Sequence, residues 1–487
     1  MIGTTRRTTR FRDYLLGGMA VLLVLLLGAF SLAKSITSRQ REQATLALKK
    51  PEALEHYEQL SLPKQSRSPE RKTPQVQPQA LENEHPDEKL AAWGHLLTRW
   101  ERFMANKSDD GWHGVLVTLG IDNEHGTVEK GKSPKQLSPE EWTRIETCLS
   151  REQDLVREIL EVAPLGGPVC AFDFTCWPFP AVTHHLPLFQ MCAFLVWDAN
   201  VKIRAGEKEA AINNLLGGMQ LGNALIEEPL LFSQYGRMAA IYRQVGWGLR
   251  EGFEPGQIPS GLLQQVLNEL GGADMHKAFA DGLRSECFIR LRANAAQAGA
   301  GQKARGVVDM DRGAPARLKT LTGSWLLRAY ASPLGAPWFD ADQAVFAAAI
   351  ERLATAAEQP YYRAKPVLTS IQEDYSAGSL AHPYLNVMLA GSDGCLELQA
   401  QCEVALNLTR IGLLIEHHRA HRSEYPQTLD EFAPDFGGTV PLDPFSGQPY
   451  RYVLGDDSFV LYSVGPNLRD DGGKPDWRDG DLPWRHN

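Results

Sequence analysis

A chain of 487 residues, 43% hydrophobic and 22% charged, holds enough apolar material for a sizeable core, which excludes global disorder. A formal net charge of -9 and a pI near 5.9 exclude a general nucleic-acid binder: phosphate contacts need a basic footprint, and the one tight basic cluster is Arg6, Arg7, Arg10 and Arg12. Seven cysteines (Cys148, Cys170, Cys176, Cys192, Cys287, Cys395 and Cys402) without a CxxC pair exclude a disulfide scaffold. They read as buried thiols, with Cys170 to Cys176 or Cys192 as the pairing an oxidising compartment would permit.

From the N-terminus, Tyr14–Ala33 ("YLLGGMAVLLVLLLGAFSLA") carries no charge. At about 1.5 Å per helical residue it matches a hydrocarbon core of about 30 Å. The arginines before it predict a single-pass protein of the cell membrane, with residues 1–13 cytoplasmic and the body on the periplasmic or outer side. The competing reading is a signal peptide cleaved after Ser31-Leu32-Ala33, although the apolar run is longer than a usual signal core. Residues 34–87 begin polar and helix-permissive. They then turn to "LPKQSRSPERKTPQVQPQALENEHPDEK", whose prolines and charges predict a linker or stalk.

The expected fold class is mainly α: a transmembrane helix, an antiparallel helical body over 88–393, and a small α+β region over 394–487. In "DEKLAAWGHLLTRWERFM", Leu90, Trp93, Leu97, Trp100 and Met104 recur at helical spacing. "SPEEW" predicts a helix start with Ser138 as N-cap, Pro139 at N1 and Glu141 at N3, a capping box. Between Cys192 and Leu249, Gly206 separates two amphipathic runs and predicts an α-hairpin, of which "AGEKEAAI" is similar to one tetratricopeptide unit without a 34-residue repetition elsewhere. Further helices are expected at 258–271, 274–298, 340–358 and 394–421, with a loop at "GAGQKARGVVDMDRGAPA".

The C-terminal region changes character. "YPQTLDEF" predicts a turn and a short helix, and "GGTVPLDPFSGQPY" is extended and interrupted by Pro441, Pro444 and Pro449. "YRYVL" and "SFVLYSV" alternate across two strands joined at Gly455-Asp456-Asp457, which predicts a hairpin. The order "YPQTL", "PLDPFSGQPYRY", "LYSVGPNLRDDGG" over roughly Val404–Trp484 resembles the C-terminal half of the type II secretion major pseudopilin. The prepilin signature at the N-terminus is missing, and Asn467 stands where that pattern more often has aspartate. The stretch "IRAGEKEAAINNLLGGMQLGNALIEEPLLFSQYGRMAAIYRQ" followed by such a tail is similar to uncharacterised, membrane-anchored bacterial envelope proteins. The resemblance to the pseudopilin implies a loop folded around calcium, with Asp470, Asp471 and Asp479 as carboxylate ligands and Asp481 beside them.

Three places carry candidate chemistry. "NLRDDGGKPDWRDGDLPW" offers Asn467, Asp470, Asp471, Asp476, Asp479 and Asp481 from a glycine-punctuated loop, as a hard cation such as calcium requires; a solvated acidic end is the plain alternative. "FDFTCWPFPAVTHHLP" gathers Asp173, Cys176, His184 and His185, the residue types of a nucleophile, bases and an orienting carboxylate, in a stretch whose prolines and aromatics also suit an irregular packed segment. His417 and His421 stand at i, i+4, a zinc-capable spacing, but without the glutamate of an HExxH site. No Walker A, Rossmann glycine or GxSxG pattern occurs. The expectation is a membrane-anchored, exported scaffold or interaction protein of the cell envelope with protein partners. The alternative is a periplasmic hydrolase built on Asp173, Cys176 and His184.

Overall fold

The computed structural model describes residues 27–46, 88–106, 111–121, 131–167, 184–226, 231–254, 256–272, 274–299, 335–376, 392–474 and 480–484, with single residues between these stretches. The helices are α1 (Glu88–Ala105), α2 (Trp112–Leu119), α3 (Pro139–Arg151), α4 (Gln153–Val162), α5 (His185–Arg204), α6 (Lys208–Ile226), α7 (Leu231–Gly252), α8 (Ser260–Gly271), α9 (Met275–Gly299), α10 (Ala336–Ala357), α11 (Tyr361–Ser376) and α12 (Ser392–Arg422), preceded by a helix over 27–46. Strands β1 (Arg451–Leu454), β2 (Phe459–Ser463) and β3 (Leu482–Pro483) form one antiparallel sheet in that order. The mainly helical expectation with a small β tail therefore holds. The chain divides into two compact units, one of Lys50–Glu286, Leu353–Thr369 and Gly391–Asn487, the other of Met1–Lys49, Cys287–Arg352 and Ser370–Ala390.

In the larger unit the helical faces follow the sequence pattern. Leu90, Trp93, Leu97 and Trp100 of α1 are buried, the Trp93 indole donates to the Gly166 carbonyl at 2.9 Å, and Trp100 and Trp112 meet Phe194 edge-on at 5.6 and 4.9 Å. Such aromatic pairs add to the area they bury because ring edge and ring face carry opposite partial charge. The expected capping box opens α3: Ser138 Oγ accepts from the Glu141 amide, and the Glu141 carboxylate accepts from the Ser138 amide at 2.9 Å.

α5, α6 and α7 form the centre, with α12 against α7. Gly206, at φ +83°, makes the left-handed turn between α5 and α6, and the Glu207 amide closes it on the Lys202 carbonyl at 2.8 Å. The run "LLGGMQLGN" lets α7 approach closely: a Cβ on Gly222 would lie 2.6 Å from the Tyr242 ring. Buried Asp198 accepts from Gln153 at 2.8 Å and Asn214 at 2.6 Å and pairs with Lys202, so this core carboxylate has a full set of donors.

The C-terminal tail caps α12 and the start of α11. Thr428 and Glu431 form another capping box on the 3-10 turn Leu429–Phe436. The "DPFSGQPY" stretch is held by buried Asp443, whose carboxylate accepts from the Phe445 amide at 2.9 Å and from the Val464 amide at 3.1 Å, pinning the loop to the end of β2. Burial moves the Asp443 carboxyl up from its ordinary range, against these amide bonds. Tyr362 donates its amide to the Pro444 carbonyl at 2.9 Å, and Tyr361 meets Phe445 edge-on. Trp484, just past β3, lies buried over Gly412 of α12, with the Arg250 guanidinium above its ring.

The expectation of a single-pass membrane protein is overturned: among the described residues no helix is long and apolar enough to cross a membrane. Of the expected span Tyr14–Ala33, residues 14–26 lie outside the described residues. The remainder begins the helix over 27–46, which runs on through Lys34, Arg39, Arg41 and Glu42. Charges of this kind are costly in hydrocarbon. Within the smaller unit Arg41 instead pairs with Asp340 at 2.7 Å. The cell-membrane localisation, with its cytoplasmic N-terminus, is accordingly withdrawn. Residues 34–46, expected to be polar and helix-permissive, are helical, and most of 47–87 lies outside the described residues.

Candidate functional site

Two adjacent side chains at the start of α5 converge on one carboxylate beyond the end of α6. His184 is the residue before the helix, with φ -80° and ψ -18°, and His185 is its first helical residue. Glu228 follows α6, its amide bonded to the Leu225 carbonyl at 3.1 Å. His184 Nε2 lies 2.7 Å from Glu228 Oε1, and His185 Nε2 lies 2.8 Å from Oε2. The two rings stand at 87° with centroids 4.3 Å apart. All three residues are at most 3% exposed.

The electrostatics are unusual for a carboxylate. Glu228 stands at the C-terminal end of α6, where the helix dipole opposes negative charge, and close to the N-terminus of α5, which favours it. Burial by itself raises its carboxyl; the charge and hydrogen bonds of His184 and His185 more than reverse this and take it down to about 2. Burial in turn lowers His184, with Glu228 pulling the other way. The Nδ1 of His185 is buried without a hydrogen-bond partner. Among the described residues, this is the group of three metal-capable side chains whose donor atoms lie within 4.8 Å of one another.

The expected hydrolase cluster is only half visible. His184 and His185 come together, while Asp173 and Cys176 lie outside the described residues. The partner that sequence reasoning missed is Glu228, in "IEEPL". A glutamate after a helix gives no sign of being buried, and nothing there separates Glu228 from Glu227. Cys192 is buried and free, its thiol pushed up by burial, so it is not set up as a nucleophile. At His417 and His421 the rings are 4.0 Å apart, but His421 Nδ1 is 2.9 Å from the His417 carbonyl, the geometry of a helix-end bond.

In the acidic loop the predicted calcium ligands are partly committed. Asp470 accepts from the Tyr462 hydroxyl at 2.8 Å and the Gly472 amide at 3.2 Å, which hold its carboxyl below its usual range. Asp471 accepts from the Asn467 side-chain Nδ2 at 3.0 Å. Asp481 is fully buried: Oδ2 accepts from the Gly473 amide at 2.7 Å, whereas Oδ1 has no partner. Burial, with Asp471 and Asp470 nearby, moves its carboxyl upward. Asp479 lies outside the described residues. The orphaned Asp481 oxygen fits a cation; Asp470 and Asp471 would have to exchange their present donors for it.

No family model, no curated protein and no solved structure matches the chain.

Proposed function

We propose that this chain is a non-catalytic interaction protein whose C-terminal sheet takes up an extended segment of a partner protein. The observation that carries the reading is the outer edge of β1. Among the described residues β1 pairs only with β2, and it presents Val453 at 53% and Leu454 at 37% exposure beside its unpaired backbone. Sheet edges of this kind are usually blunted by charge or covered, and an open one accepts an added strand. The hydrolase reading is weaker because His184 is buried and already engaged by Glu228. The test is crosslinking of the native protein in its own cells. Crosslinks at 451–454, and loss of the same partner in Val453→Lys/Leu454→Lys, are expected; crosslinks elsewhere with undiminished capture by the variant would sink the reading.

Calcium in the tail would serve the same role by stiffening the edge. Asp481, Asp470, Asp471 and Asp479 would supply its carboxylates, at the weak affinity of about 10⁻⁴–10⁻³ M common in extracellular modules. In the full-length protein, millimolar calcium is expected to slow hydrogen exchange of the β2 and β3 amides relative to chelator, since a ligand of the folded form opposes opening. Asp481→Asn should abolish the difference. Equal exchange with and without calcium in the wild type would leave the loop a solvated acidic end.

A further inference from the structure

We propose that His184, His185 and Glu228 form a structural binding site for a divalent transition metal of the zinc class. Three different residues place donor atoms within 4.8 Å of one another in a site closed to solvent. Two imidazole nitrogens and one carboxylate oxygen suit zinc and its neighbours. Calcium and magnesium prefer an all-oxygen shell, and copper(I) prefers thiolates. Among the described residues no lysine or arginine pairs with Glu228, so its buried charge faces two imidazoles alone. A bound cation would supply the missing positive charge at the end of α6.

The geometry asks for a small adjustment. In a tetrahedral zinc site with bonds near 2.1 Å the donors stand about 3.4 Å apart. The present contacts of 2.7 and 2.8 Å would therefore open slightly, as each Nε2 exchanges its proton for the metal. Burial of all three residues makes the role one of holding α5 against the end of α6.

The test uses the full-length protein with any affinity tag removed, desalted without chelator. Elemental analysis should find about one zinc-class ion per chain, and the metal-free protein should take up cobalt(II) with the intense visible absorption of a low-coordinate site. His185→Gln and Glu228→Gln should each lower metal content or affinity at least ~tenfold while far-ultraviolet circular dichroism stays unchanged. His417→Gln is the control and should retain the metal. Wild-type protein that is folded yet binds neither zinc nor cobalt overturns the proposal, as does metal retained by both site variants.

Discussion

Trp484→Ala is expected to loosen the whole C-terminal tail, at a cost of about 3–5 kcal/mol, as for other fully buried tryptophans. The ring is 2% exposed and lies on α12 where Gly412 leaves room for it. A Cβ at Gly412 would come within 2.3 Å of Trp484 Cε2 and 2.5 Å of its Nε1, so Gly412→Ala must displace the ring. Overpacking of this sort costs about 1–3 kcal/mol. In a helix interior without such a contact, the same substitution stabilises by about 0.5–1 kcal/mol. The sign of Gly412→Ala is thus the discriminating observation. It should destabilise the wild type and stabilise the Trp484→Ala protein, read by hydrogen exchange of the β2 amides. A stabilising effect in both backgrounds would mean that Trp484 does not sit on α12.

The parts of this architecture that were legible in the sequence are those written in local chemistry. The Ser138 and Glu141 capping box, the Gly206 turn and the hairpin around Gly455-Asp456-Asp457 each depend on a few neighbouring residues, and each is found, although burial does not alternate along either strand. α11 was not legible, because Pro366 inside it reads as a breaker. β3 has only two residues, one of them Pro483, and exists because Trp484 buries itself and donates its amide to the Leu461 carbonyl at 2.8 Å. At Tyr14–Ala33 hydropathy alone predicted a span, and among the described residues no helix is long and apolar enough to be one. The candidate site was half legible for a related reason. Two adjacent histidines stand out in a sequence, but Glu228 lies more than forty positions away and becomes informative only when the α5–α6 pair closes.

Glu228→Ala is the second large effect expected. Removing one member of a buried ionic or hydrogen-bonded cluster strands the others, typically at about 3–5 kcal/mol, because the desolvation of the survivors is no longer offset. Here both imidazoles lose their acceptor together, and the Nδ1 of His185 is already without a partner. Glu228→Gln retains an acceptor oxygen and an amide, so its cost should be smaller, about 1–3 kcal/mol. Apolar replacement of all three, His184→Leu/His185→Leu/Glu228→Leu, should recover part of the loss, since the cluster then strands none of its own three groups. Hydrogen exchange of the α5 and α6 amides reports the local effect. Run in chelator it reads the hydrogen-bonded cluster alone, and run with zinc it adds any stabilisation by the metal. A loss under ~1 kcal/mol in Glu228→Ala would mean that water reaches these groups and would contradict the burial on which both the cluster and the proposed metal site depend.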